Sequence, residues 1–296
     1  MTSTMQIYRQ TIADFKSLQG VLYSGQSKIG ADSKATTFAE LGTELPIIQG
    51  FYASAQRADR FINSIEQAQR RLDTSYRALD EIIEAAISFK SDLALENSPN
   101  SNINDLSGSA NTKLDIITGA LNSRDGNIFV FGGSKTNEIP VADLKRLNNN
   151  VNGEVTANYY NGDNFKSEVD ISKSLRVQYG VNADNEAFRN VISALNLAKD
   201  AEAGGVGALE LAGLTLDTAI DQLINLRSSM GNNSKVFQTT LEVQISAKTT
   251  FEQKYAEANE PDIVQLTIET GQAQTALTAL FQNFARISGL SLVNYL

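Results

Sequence analysis

Histidine, cysteine and tryptophan are wholly absent from this 296-residue sequence. Their absence removes Ser-His-Asp and Cys-His catalysis, zinc sites built on imidazole or thiolate, haem ligation and disulfide frameworks. Any chemistry would rest on carboxylates, Lys, Tyr, Ser or Thr, and an enzyme is not expected. Basic residues are also scarce: 25 Lys and Arg stand against 34 Asp and Glu, for a net charge of −9. The longest basic run is Arg70-Arg71, which argues against a nucleic-acid partner because phosphate binding needs concentrated cations. No apolar run approaches the ~18 residues of a membrane span, so no membrane insertion is expected. Met1–Gln10 carries no cationic stretch followed by an apolar one, so no Sec-type signal peptide is expected either.

Proline is nearly absent, with Pro46, Pro99, Pro140 and Pro261 as its four occurrences. Between the first two lie about fifty residues whose one glycine, Gly50, falls in the first turn. This reads as a single helix over 47–97, roughly 75 Å long at about 1.5 Å per residue. A seven-residue series through Phe51, Ala58, Ile65, Leu72, Leu79, Ala86 and Leu93 is apolar throughout. A companion series through Ile48, Ala55, Ile62, Gln69, Tyr76, Ile83 and Lys90 is interrupted twice. Heptads sustained this far predict coiled-coil packing.

A second run, 209–258, repeats Leu209, Leu216, Leu223, Met230 and Phe237; Gly231-Asn232-Asn233 is expected to divide it into two helices. A third begins at Asn259-Glu260-Pro261-Asp262, a helix-start signature. It continues through Leu266, Ala273, Leu277, Leu280, Phe284 and Ile287 to Leu290. Near the N-terminus, Tyr8, Ile12, Phe15, Leu18 and Leu22 predict a helix ending at Ser24-Gly25.

The middle differs in composition. Between Asn97 and Asn196 lie 19 of the 26 asparagines, a density that favours turns over long helices. Alternating segments at 127–131, 154–160 and 175–179 predict short strands, and 185–199 a helix. The fold class expected is mainly α: a long antiparallel bundle or coiled coil formed by both chain ends, with a small α+β domain inserted. Its divisions are an N-terminal arm 1–135, an insertion 136–204 and a C-terminal arm 205–296.

No motif carries chemistry. Ala203-Gly204-Gly205-Val206-Gly207 lacks the Gly-Lys-Ser/Thr ending of a phosphate loop. Asp125-Gly126-Asn127 and Asn161-Gly162-Asp163-Asn164 lack the spacing of a calcium loop. Glu81 and Glu84 read as a solvated helix face. Neither a cofactor nor a metal is expected.

The strongest patterns therefore lie at the chain ends, and these resemble a known family. Gln272-Ala273-Gln274-Thr275-Ala276-Leu277 and Arg286-Ile287-Ser288-Gly289-Leu290, running on to Leu296, are similar to the C-terminus of the flagellin superfamily. Ser24-Gly25, Lys28-Ile29 and Asp32 resemble its N-terminal turn. Ile128-Phe129-Val130-Phe131-Gly132-Gly133 resembles the stretch where such proteins leave their helical domain. Asn158-Tyr159-Tyr160, Val177-Tyr179-Gly180 and Phe188 resemble an inserted domain, and Arg227-Ser228-Ser229-Met230-Gly231-Asn232-Asn233 a late helical link. Asp32-Ser33-Lys34-Ala35 departs from the acidic pair and proline usual in the family.

The resemblance spans nearly the whole chain and is closest to the members that join hook to filament. It implies a structural subunit of the extracellular flagellum, exported without a cleavable signal peptide through the flagellar type III apparatus. It implies self-association into a helical tube or ring, with a neighbouring hook-associated protein and flagellin as partners and an export chaperone on the C-terminal helix. Terminal segments of about 1–40 and 265–296 would be disordered until subunits stack. The subunit-packing residues would be Tyr8, Ile12, Phe15, Leu22, Leu266, Ala273, Leu277, Leu280, Phe284, Ile287 and Leu290. Two alternatives stand beside this reading: a filament flagellin, and an adhesive, carbohydrate-binding module on 136–204 with Tyr159, Tyr160 and Tyr179 as a stacking surface.

Overall fold

A computed structural model of the chain describes residues 2–96, 103–147, 159–200 and 206–293. The architecture is mainly α. In chain order the elements are α1 (Thr2–Ala31), α2 (Phe38–Leu41), α3 (Leu45–Glu96), α4 (Ile103–Leu121), β1 (Arg124–Asp125), β2 (Ile128–Phe129), β3 (Glu168–Asp170), β4 (Arg176–Gln178), α5 (Glu186–Lys199), α6 (Val206–Asn259) and α7 (Ile263–Val293). Chain contacts divide these into two compact units: residues 1–57 with 247–296, and residues 58–246.

The long helix expected at 47–97 is present as α3, with Pro46 in its first turn, where a missing N–H costs nothing. Its main heptad series is buried from Ala58 through Ile65, Leu72, Leu79 and Ala86 to Leu93. The companion series is buried as expected at Ile48 and Ala55 and departs from expectation beyond them. Within 58–246 the buried companions are Ala68, Ser75, Ile82 and Phe89, whereas Ile62, Gln69, Tyr76 and Ile83 are half-buried flanks. Neighbouring elements select which side of a heptad stripe is covered, and periodicity alone leaves both sides open.

Three further expectations are corrected. Helix α1 does not end at Ser24-Gly25 but runs on to Ala31. Its stop is Asp32, held left-handed at φ 48°, with Ser33 N–H donating to the Lys28 carbonyl and Asp32 N–H to that of Ile29. That six-to-one and five-to-two pair closes the helix end. Helix α6 passes unbroken through Gly231-Asn232-Asn233. A mid-helix Gly costs roughly 0.5–1 kcal/mol, and the burial of Met230 and Phe237 on either side offsets it. The Asn-rich middle also contains a nineteen-residue helix, α4, that residue density argued against. Its Leu106, Ala110, Leu114, Ile117 and Leu121 form a buried stripe at helical spacing.

Two short strands fall where alternation placed them, β2 within 127–131 and β4 within 175–179, whereas β1 and β3 lie outside the expected segments. β1 and β2 form a hairpin across Gly126 (φ 59°), pairing Arg124 with Phe129. β3 and β4 pair Glu168 with Gln178, Val169 with Val177 and Asp170 with Arg176. The expected strand at 154–160 lies mostly outside the described residues, apart from a bridge between Tyr160 and Val141. Of the Gly-rich stretch 203–207, residues 203–205 also lie outside them, and Val206 and Gly207 open α6 rather than forming a flexible joint. Helix α5 starts one residue after Asn185, whose side chain accepts the Ala187 N–H as an N-cap.

In the unit 58–246 one continuous apolar cluster joins α3, α4, α5 and α6 to the segments between them. Phe131 meets Phe188 edge-on at 5.8 Å, and Tyr179 meets Phe237 at 5.6 Å. Tyr159 is fully buried, donates its hydroxyl to the Ala183 carbonyl at 2.8 Å, and has its phenol pKa pushed up by that burial. The stacking surface considered for Tyr159, Tyr160 and Tyr179 is therefore not there. Tyr159 and Tyr179 are core, and Tyr160 is half-buried with its hydroxyl on the Asp163 carbonyl.

Candidate assembly surface

The residues singled out from the chain ends fall on α1 and α7, which pack antiparallel in the first unit. Phe15 meets Phe281 edge-on, ring centroids 5.2 Å apart. Further along, Gly25 is buried against Thr270, so close that a Cβ at position 25 would collide with the threonine methyl. Glycine inside a helix is unfavourable by itself, so its value here is the close approach it permits. The pair is extended by Lys34 N–H donating to the Asn259 carbonyl at 2.7 Å. In the same unit Tyr52 of α3 and Tyr255 of α6 lie 5.6 Å apart.

An ionic clasp follows α1. Lys28 pairs with Glu40 at 2.7 Å and Lys34 with Glu44 at 2.6 Å. Lys28 and the Thr36 hydroxyl hold the Glu40 carboxyl down at about 2. These are exposed contacts that shape the turn and add little stability.

The α1–α7 seam uses part of the expected set. Ala273 and Leu277 are buried in it, while Phe15, Leu22, Leu266 and Leu280 are half-buried. Ile12 and Phe284 are exposed. Tyr8, Ile287 and Leu290 lie on the same two helices, with side chains outside the described residues. Ile12, Phe15, Leu280, Phe281 and Phe284, with Thr11, line an apolar groove of about 180 Å³.

A second set, absent from the expected residues, faces outward. Tyr23 is 79% exposed, Val264 72% and Phe281 59%, with Val21, Ile263 and Ile268 also exposed. Scattered apolar residues on a surface need no explanation; here they are concentrated on one helical pair. Its signal in the sequence is Val264 and Ile268, one turn apart on α7 and off the expected stripe, whereas Phe281 flanks that stripe and meets Phe15. Among the described residues no group of acidic side chains is placed to hold a metal ion. Nor, among them, is any helix long and apolar enough to cross a membrane.

No protein-family model and no curated protein matches the sequence. Solved structures do match the fold. The chain is similar to a flagellar hook-associated protein from Vibrio parahaemolyticus, with a TM-score of 0.61 and 13% identity over 75% of this chain and 100% of that one. It is similar to FlgL from Bacillus cereus, with a TM-score of 0.51 and 13% identity over 66% of this chain and 98% of the other. FlgL from Xanthomonas campestris gives a TM-score of 0.51 and 14% identity over 70% and 98%. The property shared with these proteins is the fold.

Proposed function

We propose that this chain is a non-catalytic structural subunit of the bacterial flagellum, a hook-associated protein that links hook to filament. Two independent lines support the reading: the motif order along the sequence, and the fold likeness to flagellar hook-associated proteins. The observation that carries it is the paired α1 and α7, which bring both chain ends together and leave apolar side chains uncovered.

Two helices in contact bury one side of each, and the other sides need a partner. Ordering a residue costs on the order of 1–2 kcal/mol in backbone entropy. Burial against neighbouring copies offsets that cost only in the assembly, which keeps the free subunit soluble. Head-to-tail contacts that do not close generate a helical array, and those that close generate a ring. The neighbouring partners would be a second hook-associated protein and flagellin. Before export a chaperone would cover the apolar side of α7. Passage of an unfolded chain through the flagellar type III apparatus fits a cysteine-free sequence, because no oxidative folding step is required.

Val264→Asp tests the proposal. The residue is 72% exposed in the subunit, so the purified variant is expected to melt like the parent. In an assembled interface the new carboxylate would be buried without a partner, at a cost of several kcal/mol. Incorporation onto purified hooks is expected to fail. A variant that melts normally and incorporates normally would overturn the assembly role of this helix.

A further inference from the structure

The unit 58–246 holds a polar cleft of about 380 Å³ that the assembly role does not use. Three segments remote in sequence build it: the loop 164–166, the stretch from Gln178 to Asn185, and one face of α6 from Leu226 to Asn233. The α6 face presents Leu226, Ser229, Met230 and Asn233 at helical spacing, alternating apolar floor with hydrogen-bonding wall. From this cleft we infer a binding site for a carbohydrate, one or two pyranose rings in size.

The first support is an unmet acceptor. Asn182 lines the cleft and is only 6% exposed. Its Nδ2 donates to the Asp163 carbonyl at 2.7 Å, and its Oδ1 has no hydrogen-bond partner among the described residues. A buried acceptor left unmet is costly, and a ligand hydroxyl entering the cleft would satisfy it.

The second support is the mixture of groups around it. Lys166 and Asp184 both line the cleft, and neither forms an ion pair among the described residues. With the side-chain amides they offer donors and acceptors of both signs around a small apolar floor. That mixture suits a ligand whose every substituent both donates and accepts and whose ring carries an apolar C–H face. A pyranose has those properties. A phosphate-bearing ligand would need more than the one lysine beside an aspartate. The size also fits, since small-molecule sites run about 300–1,000 Å³.

The third support weighs against strand addition by an extended peptide. Strand addition needs a free backbone edge. The outward carbonyl of Gln178 in β4 is already taken by Asn233 Nδ2 at 3.2 Å. The same bond fixes the Asn233 side chain and leaves its Oδ1 as a further acceptor.

The test uses the full chain, labelled with ¹⁵N and titrated with methyl α-mannopyranoside, methyl β-galactopyranoside, N-acetylglucosamine and maltose, and separately with a trialanine peptide. At least one sugar is expected to shift the amide signals of Gly180, Asn182 and Asn233. Ser229→Trp fills the cleft from an exposed helix position and is expected to weaken that sugar at least about tenfold with an unchanged melting curve. Lys166→Ala, in an exposed loop, is expected to weaken it without any folding change. Three results would overturn the proposal: no sugar shifts these signals, the shifts survive Ser229→Trp, or trialanine produces the same shifts. Because none of these residues belongs to α1 or α7, failure here leaves the assembly proposal intact, and failure of incorporation leaves this one intact.

Discussion

The unit 58–246 and the paired chain ends are made of the same material, long amphipathic helices, but they bury it to different extents. In the former, Leu72, Leu79, Leu114, Leu216 and Leu223 are all fully enclosed, because α3, α4, α5 and α6 surround a common centre. In the latter, the described residues buried between α1 and α7 are Gly25, Ala273 and Leu277, while Tyr23 and Val264 stay uncovered. An apolar stripe specifies that a helix will be covered; the number of neighbours decides whether its own chain can do the covering. Among the described residues the paired ends lack those neighbours.

The sharpest way to break the comparison is to damage the enclosed core alone. Phe188→Ala removes a ring that meets Phe131 and is expected to cost about 3–5 kcal/mol. The urea midpoint should fall by the same amount at every protein concentration, because this core depends on no partner. A midpoint that recovers at high concentration would mean that this unit, too, is completed by association.

Next in size is Gly25→Val, which strikes the seam. The added Cβ meets the Thr270 side chain, and overpacking of this kind costs typically 1–3 kcal/mol. Hydrogen exchange in 2–31 and 263–293 should quicken while protection in 58–246 stays unchanged. Equal loss in both units would erase the distinction drawn between them.

Gly231→Ala should act with the opposite sign. The position is helical, and a Cβ there meets nothing within 4 Å. A gain of roughly 0.5–1 kcal/mol is expected, read as a higher melting temperature of the unit 58–246. A loss instead would show that α6 needs to break at Gly231-Asn232-Asn233 in the subunit's working state.

The smallest effect is at Glu40. Its folded pKa is lowered from 4.5 to about 2, first by Lys28 and then by Thr36. The contribution of that clasp is therefore fully present above the unfolded value of 4.5 and is lost as pH falls towards 2. The Glu40 carboxyl carbon should titrate near 2 by NMR, and near 4.5 in Lys28→Ala with Thr36→Ala. Because the group is exposed, global stability should scarcely move.

Much of the fold was legible before any coordinates. The extent of α3 follows from Pro46, Pro99 and the near-absence of glycine between them, and α7 from the signature at Asn259–Asp262. Helix α4 was obscured because asparagine density argues for turns, although Leu106, Ala110, Leu114, Ile117 and Leu121 already carried the helical period. The apolar surface of the chain ends is half legible: Ala273 and Leu277 stand in the expected set and lie in the intrachain seam, whereas the outward Val264 and Ile268 fall outside it.

The sequence by itself determined where helices run and that both chain ends are amphipathic, because propensity, proline placement and periodicity are local properties of the chain. Tertiary structure alone decided which seam of α3 is buried, why α1 passes through Gly25 and why α6 passes through Gly231. Each outcome depends on a partner distant in sequence: Thr270 opposite Gly25, and a core around Met230 and Phe237 that offsets the cost of a helical glycine. The cleft beside Asn182 belongs to the same class. Its walls come from 164–166, 178–185 and 226–233, and no local pattern places those three segments side by side.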